Sequence, residues 1–100
     1  MIVAFSVAPL GSGESVSPAV ADAVRVVRDS GLPYRLTSMF TELEGEWDEC
    51  MDVVRRACDA VAAHGERVSL VLKADIRPGH SGELTAKVER VERLLDEKER

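Results

Sequence analysis

Val68 to Arg77 reads Val-Ser-Leu-Val-Leu-Lys-Ala-Asp-Ile-Arg, and this stretch decides how the rest of the chain is interpreted. Its first five residues are β-branched or aliphatic apart from Ser69, which favours a strand. Side chains alternate between the two faces of a strand, so one face would be wholly apolar and the other mixed. The apolar face comprises Val68, Leu70, Leu72, Ala74 and Ile76, and the mixed face comprises Ser69, Val71, Lys73 and Asp75. Such a strand is covered by helices on one side and only partly covered on the other.

The polar end of this stretch concentrates charge. Lys73, Asp75 and Arg77 would point to the same side of the strand because side chains repeat with a period of two. One interpretation is a polar clamp for a ligand. The other is a solvated ion pair worth ~0–1 kcal/mol, and the spacing alone leaves both open.

Length and charge limit the possible functions. The 100 residues, 45% of them apolar, are enough for one domain spanning residues 1–100 with a small core. The net charge of −5 gives no general attraction to nucleic acid or to an anionic membrane. No stretch approaches the ~18 uninterrupted apolar residues of a membrane span, and we expect neither partner.

Cysteine usage and the N-terminus indicate the cytoplasm. Cys50 and Cys58 fall in one predicted helix, where their Cα atoms would lie roughly 12 Å apart, too far for a disulfide. Reduced, buried thiols are therefore expected. The first ten residues lack the basic region of a signal peptide. The chain has no Cys-x-x-Cys or Cys/His cluster, so we expect no metal and no cofactor.

The order of predicted elements defines an α+β fold. Ser17 as N-cap and Pro18 at the first helical position mark the first helix start. The predicted strands are Ile2 to Ala8, Tyr34 to Phe40, Thr41 to Glu44 and Val68 to Arg77, and the helices run about Pro18 to Ser30, Glu46 to Ala63 and Gly82 to Lys98. The β-α-β-β-α-β order predicts a ferredoxin-like antiparallel sheet with two helices on one face and an extra C-terminal helix.

The other face of this sheet would be incompletely covered. It would carry Ala4, Ser6, Val71 and Lys73, a surface that the third helix or a second subunit could cover. We favour a subunit contact, with the last helix contributing, because a domain this small gains from burying such a face.

Further candidate sites have structural alternatives. Thr41, Glu44 and Glu46 surround Gly45 and could present a carboxylate to an amino-heterocycle or a cation, or simply cap a helix. The Gly11-Ser12-Gly13 loop could cradle a phosphate, but a plain turn is favoured because no P-loop pattern is present. Trp47 is expected to anchor the core.

Catalysis is not indicated. No nucleophile and base stand at a recognisable spacing. An enzyme using Asp75 or Glu44 as a base is kept only as an alternative.

Several short segments together resemble the small thiamine-binding protein family. No single segment is diagnostic, but the ordered set at these spacings is fairly specific. The segments are Pro9-Leu10-Gly11-Ser12-Gly13, Ser17, Ser30-Gly31-Leu32 before Tyr34, Thr41, Glu44-Gly45-Glu46, Gly65, Arg67-Val68, Lys73-Ala74-Asp75-Ile76-Arg77 and Lys87-Val88.

The resemblance implies a cytoplasmic, non-catalytic binder of thiamine or its hydroxymethylpyrimidine moiety. It also implies homo-oligomers, commonly dimers of dimers, with the ligand near subunit contacts. Phe5, Phe40 or Trp47 could stack on a flat ring. The candidate ligand-binding residues are Ser6, Ser38, Thr41, Glu44, Lys73, Asp75 and Arg77. The alternative function is a regulatory or scaffolding oligomerisation domain.

Overall fold

The computed structural model describes residues 1–11, 13 and 16–99. Its elements are β1 (Ile2–Leu10), α1 (Ser17–Asp29), β2 (Tyr34–Leu36), β3 (Thr41–Glu44), α2 (Trp47–Ala62), β4 (Arg67–Asp75) and α3 (Glu83–Glu99). The four strands form one antiparallel sheet in the order β2-β3-β1-β4. The predicted ferredoxin-like α+β fold is confirmed. Ser12 lies outside the described residues, so the two interpretations of the glycine loop stay predictions.

The core lies between one face of the sheet and the two helices α1 and α2. Alternate residues of β1 are buried there, as the period of two requires, while their neighbours face the other way. The fully or nearly fully buried core residues include Val3, Phe5, Val7, Ala23, Val27, Leu43, Cys50, Val54, Ala57 and Val61. Both cysteines are free thiols; Cys50 is buried, as predicted, but Cys58 is only half-buried, so the prediction of two buried thiols is wrong for Cys58.

β1 is longer than the sequence predicted. The prediction ended the strand at Ala8 because Pro9 follows, but the strand continues through Pro9 to Leu10. Its neighbours differ in length: β4 pairs with all of Ile2–Leu10, whereas β3 pairs only with Ile2 to Phe5. Within the part of the chain that the structure describes, the second half of β1 therefore has a hydrogen-bonded neighbouring strand on one side only.

Two other strand boundaries were predicted wrongly. β2 ends at Leu36 instead of Phe40, because residues 37–40 form a turn that leads into β3. β4 ends at Asp75, so Arg77 has left the strand. The predicted alignment of Lys73, Asp75 and Arg77 on one side of a strand therefore fails at its last member.

Two predictions at helix starts are also wrong. Ser17 is already helical, and Val16 occupies the cap position without a side-chain cap, because the Val16 carbonyl accepts the first helical bond from the Val20 amide. Trp47 begins α2 with 54% of its surface exposed, so it does not anchor the core.

α3 extends away from the rest of the domain. The radius of gyration is 15.5 Å, larger than the roughly 13 Å of a compact 100-residue domain. Leu84, Val88, Val91 and Leu95 recur at helical spacing and form an apolar stripe on α3. Leu84 is buried, but Val88, Val91 and Leu95 are 42–55% exposed. α3 thus covers only one end of the sheet face opposite α1 and α2. We call this face the open face; it carries Ile2, Ala4, Ser6, Ala8, Arg35, Glu42, Glu44, Ser69, Val71, Lys73 and Asp75.

Within the described residues, no helix is both long and apolar enough to cross a bilayer.

The core assignment predicts unequal effects of two leucine substitutions. Leu43 is fully buried on an inner strand, so Leu43→Ala should lower the free energy of unfolding by about 2–5 kcal/mol through lost burial and the cavity left behind. Leu36 lies on the edge strand and is 57% exposed, so Leu36→Ala should change the free energy of unfolding by less than about 1 kcal/mol. Urea unfolding followed by circular dichroism measures both, and equal losses would contradict this core.

Candidate functional site

Six of the seven predicted site residues form two groups at opposite ends of β3, and the seventh, Lys73, lines a neighbouring groove. Ser6, Ser38 and Thr41 line one cavity. A second, smaller cavity is lined by Glu44, Asp75 and Arg77. Thr41 and Glu44 are the first and last residues of β3, roughly 10 Å apart at the usual rise per residue. A single aromatic ring therefore cannot contact both groups, and each cavity is considered separately.

The first cavity, which we call the turn pocket, lies between β1, α1 and residues 37–41. Its volume is about 220 Å³. This exceeds the cavity of about 150 Å³ that binds benzene in an engineered protein, so one substituted aromatic ring fits. The lining residues are Phe5, Ser6, Val7, Ala8, Val16, Val20, Ala23, Val24, Leu36, Thr37, Ser38, Met39, Phe40 and Thr41.

The turn between β2 and β3 creates this pocket. The Thr37 hydroxyl donates to the Phe40 carbonyl at 2.7 Å and accepts from the Phe40 amide at 3.2 Å. The Thr37 amide also donates to the Phe40 carbonyl, at 2.9 Å. These bonds close a tight turn with Ser38 and Met39 at its tip. Residues 37–40 therefore do not pair with β1, although they directly precede the strand that does.

The backbone of β1 is left unpaired beside the turn pocket. Met1 and Gly45 exchange both hydrogen bonds of an antiparallel pair, at 2.8 and 3.1 Å. Since such pairs alternate along a strand, odd-numbered residues of β1 direct their amides and carbonyls toward β3. β3 begins opposite Phe5, so within the described residues Val7 has no ladder partner on that side. Val7 therefore offers one donor and one acceptor to the turn pocket.

Pro9 is placed consistently with this pattern. Pro9 follows Val7 in the series of odd-numbered residues, whose amides point to the β3 side of β1. The amide hydrogen that proline lacks would therefore have pointed to the same unpaired edge as that of Val7. Proline is tolerated in a strand at such a position.

The pocket wall formed by α1 departs from the predicted helix stripe. Val20, Val24 and Val27, with Ala23 beside them, recur at the spacing of a core-facing stripe. The structure buries Ala23 and Val27 of this set together with Ala19, whereas Val20 and Val24 are only half-buried and line the turn pocket. Small alanines let the helix approach the sheet closely, and the larger valines at its margin supply an apolar wall.

The second cavity is small and strongly charged. Its volume is about 70 Å³, too small for an aromatic ring. Glu44 is 7% exposed, and its carboxylate accepts hydrogen bonds from the backbone amides of Glu83 and Leu84 at 2.9 and 3.3 Å. These amides belong to the first turn of α3, which has no intrahelical partners for them. Glu44 therefore caps α3 from the neighbouring strand.

The remaining charges around this cavity pair with one another. Asp75 accepts a hydrogen bond from Lys87, which holds the pKa of the Asp75 carboxyl below its ordinary value. Glu83 accepts one from Arg90 at 2.6 Å, and this bond lowers the pKa of Glu83. The Nη1 atom of Arg77 lies 3.7 Å from Oε1 of Glu83. We call Asp75, Arg77, His80, Glu83, Lys87 and Arg90 the strand-end cluster; its contacts join β4 and the following loop to α3.

Lys73 lies beside this cluster on the open face. With Asp75 it lines a groove of about 220 Å³ under α3, whose other walls include Glu42, Leu84 and Val88. The charges at the end of β4 thus face α3 instead of converging on one another, as the sequence had suggested.

Sequence reasoning missed part of each cavity. The Val7 backbone could have been inferred only from strand register, which the sequence does not contain. The partners Glu83, Lys87 and Arg90 come from α3, and their approach to β4 depends on how that helix docks. The proline within β1 was the one available signal, and it was interpreted as the end of a strand.

Metal binding has no support in the described ranges 1–11, 13 and 16–99. No three histidine, cysteine, aspartate or glutamate side chains come together there as a possible ligand set.

The fold and the turn pocket define a ferredoxin-like α+β protein with a ring-sized, largely apolar cavity. The family model described as "Thiamine-binding protein" matches residues 3–92. The chain belongs to this thiamine-binding protein family.

Relatives and solved structures agree with this assignment. The UPF0045 protein Mb1933 of Mycobacterium bovis is 56% identical over 96 residues, which cover 95% of this chain and 94% of the relative. The crystal structure of the hypothetical protein MJ1052 of Methanocaldococcus jannaschii superposes with a TM-score of 0.83 at 31% identity, covering 90% and 93% of the two chains. A Thermotoga maritima protein proposed to act in thiamine biosynthesis or salvage has the same fold, with a TM-score of 0.75 at 22% identity over 88% and 96%.

The cap on α3 predicts a local effect of substituting Glu44. Glu44→Ala removes both acceptors and leaves two backbone amides unbonded, so it should lower the free energy of unfolding by about 0.5–2 kcal/mol. Hydrogen exchange at Glu83 and Leu84 should accelerate. Glu42→Ala, on the same strand, is the control and should leave exchange at both amides unchanged. Unchanged exchange in Glu44→Ala would contradict the capping role.

Proposed function

We propose that this protein binds thiamine or a related hydroxymethylpyrimidine without chemically changing it, and that the pyrimidine ring occupies the turn pocket. Membership of the thiamine-binding protein family supports a thiamine-related role. The observation that carries the proposal is a ring-sized pocket with an unpaired stretch of β1 along one side.

The aminopyrimidine ring matches this pocket chemically. Its amino group is a donor and the adjacent ring nitrogen is an acceptor. The carbonyl and amide of Val7 provide the complementary acceptor and donor, as an unpaired strand edge does for a peptide that adds to it. The faces of the ring would lie against Phe5, Val20 and Val24, which are apolar.

Side-chain hydroxyls complete the proposed site. Thr41 is buried at the start of β3, and Ser38 stands at the tip of the turn. Both line the turn pocket, so they can bond the ring nitrogens or the hydroxymethyl oxygen. Ser6 also lines this pocket, but its side chain alternates with those of Phe5 and Val7, so its hydroxyl is directed to the open face, away from α1. Of the aromatic residues first considered for stacking, Phe5 and Phe40 line this pocket.

We assign the other predicted site residues to a structural role. Glu44, Asp75 and Arg77 surround a cavity too small for a ring, and their charged groups contact α3 or side chains on it. Lys73 lies on the open face, where with Asp75 it lines the groove under α3. This groove has the same volume as the turn pocket, but the β1 residues beneath it, Ile2 and Ala4, are paired with strands on both sides, so it offers no free strand edge. In this proposal the charged residues set the position of α3 and do not contact the pyrimidine.

Assembly of several copies is part of the proposed function. The apolar side chains Val71, Val88, Val91, Leu94 and Leu95 are each 42–59% exposed on the open face or along α3. Exposed apolar surface of this extent favours association. We propose a homo-oligomer, with a dimer of dimers as the expected arrangement, that acts in the cytoplasm with its cysteines reduced.

Calorimetric titration of the purified protein with thiamine, and separately with hydroxymethylpyrimidine, tests the proposed binding. We expect saturable heat and recovery of the ligand unchanged after incubation. No heat and no thermal shift at millimolar ligand would contradict the binding function, and a new product would contradict the non-catalytic part.

A hydroxyl-to-methyl substitution should weaken this binding selectively. Thr41→Val keeps the shape of the side chain but removes the hydroxyl, so the dissociation constant should rise about fivefold, as expected for one lost hydrogen bond. Thr85→Val makes the same change on the exposed first turn of α3 and should leave the constant unchanged. Equal dissociation constants for Thr41→Val and the unsubstituted protein would show that the Thr41 hydroxyl does not bind the ligand.

The proposed assembly makes its own prediction. The unsubstituted protein should show a mass in light scattering that is a multiple of the 10.9 kDa chain. Leu94→Lys places a charge within the exposed stripe of α3 and should reduce that mass, whereas Glu92→Lys on the same helix should not. A mass of one chain for the unsubstituted protein would refute the oligomer.

A further inference from the structure

The turn pocket adjoins a second cavity along α1. This groove has a volume of about 460 Å³ and shares the lining residues Val16, Val20, Val24 and Leu36 with the turn pocket. A substituent that extends from a pyrimidine ring in the turn pocket past these shared residues would lie in the groove.

The charged side chains that line the groove are all positive. Its other lining residues are Ser17, Ala21, Arg25 and Arg28. The two arginines are three positions apart on α1, which places them on neighbouring turns of one helix face. Among the described residues that line the groove, no acid accompanies them.

The nearby acids pair with these arginines, but neither acid lines the groove. Asp22 accepts from Arg25 at 2.7 Å, but its other oxygen lies 2.6 Å from His64 at the end of α2. Asp29 accepts from Arg28 at 3.1 Å. Both arginine pairs are solvent-exposed, and exposed pairs of this kind are weak. Each guanidinium has several donors, so it can bond an additional anion without losing its aspartate.

We propose that the preferred ligand is a phosphate ester of the pyrimidine compound, whose phosphate is bound by Arg25 and Arg28 in the groove. This inference rests on the proposed function. Guanidinium groups bind phosphate oxygens by charge-assisted hydrogen bonds, so a phosphate at the outer end of the groove is stabilised. Free thiamine would instead place its cationic thiazolium near two positive charges, which is unfavourable.

Thiamine monophosphate and hydroxymethylpyrimidine phosphate both combine a pyrimidine ring with a phosphate ester. Titrating the full chain with each phosphate ester and with its unphosphorylated counterpart distinguishes them. The pairs are thiamine with thiamine monophosphate, and hydroxymethylpyrimidine with its phosphate. We expect the phosphorylated member to bind about tenfold more tightly in at least one pair. The pair with the larger ratio identifies the source of the phosphate ester. The ratio should fall as salt is raised, because the arginines are exposed.

A double substitution locates the effect. Arg25→Gln with Arg28→Gln should reduce the ratio to about one while leaving the affinity for the unphosphorylated compound unchanged or improved. Arg55→Gln with Arg56→Gln is the matched control, because it removes two exposed arginines from α2, which both bond Asp52. This control changes the net charge by the same amount and should keep the affinity ratio between the phosphorylated and unphosphorylated compounds.

The outcomes separate this inference from the proposed function. Equal affinities within both pairs, or a ratio that survives Arg25→Gln with Arg28→Gln, would overturn the phosphate proposal while leaving pyrimidine binding intact. Failure of all four compounds to bind would overturn the proposed function, and this inference with it.

Discussion

The unequal length of two neighbouring strands is the constraint on which the site depends. β1 pairs with β4 along nine residues but with β3 along only four. The Thr37 hydroxyl fixes this difference, because it closes the turn before β3 and keeps residues 37–40 away from β1. Unpaired backbone beside an apolar cavity is costly when no partner is present. A flat polar ring is well suited to supply that partner.

Charged residues have a different role at the other end of β3. There the buried carboxylate of Glu44 bonds the first amides of α3, and the strand-end cluster adds ion pairs between β4 and that helix. These bonds direct α3 outward from the open face and leave most of its apolar stripe exposed. We therefore propose that the acidic residues that looked most like ligands in the sequence position α3, and that hydroxyl and backbone groups of the turn pocket bind the ring.

Periodicity predicted most of the fold, but it could not predict strand ends. Alternation in β1 and β4 identified both faces of the sheet, including Ala4, Ser6, Val71 and Lys73 on the open face. The predicted end of β1 at Ala8 was wrong. A proline interrupts a strand only if the amide hydrogen that it lacks would have bonded a neighbouring strand, and at Pro9 that position faces the unpaired edge. The site proposed here could be anticipated from the sequence only in part, for a similar reason. Hydroxyls near a turn can be recognised from their positions, but the exposed edge at Val7 follows from register, which depends on contacts between distant segments.

Hydrogen exchange at the Val7 amide, measured by NMR with and without thiamine, tests most directly whether the free edge of β1 is the binding site. The account predicts that this amide exchanges faster than that of Phe5, its paired neighbour on the same side of the strand, and that thiamine slows it. Strong protection of the Val7 amide in the absence of ligand, or exchange unaffected by saturating thiamine, would contradict it.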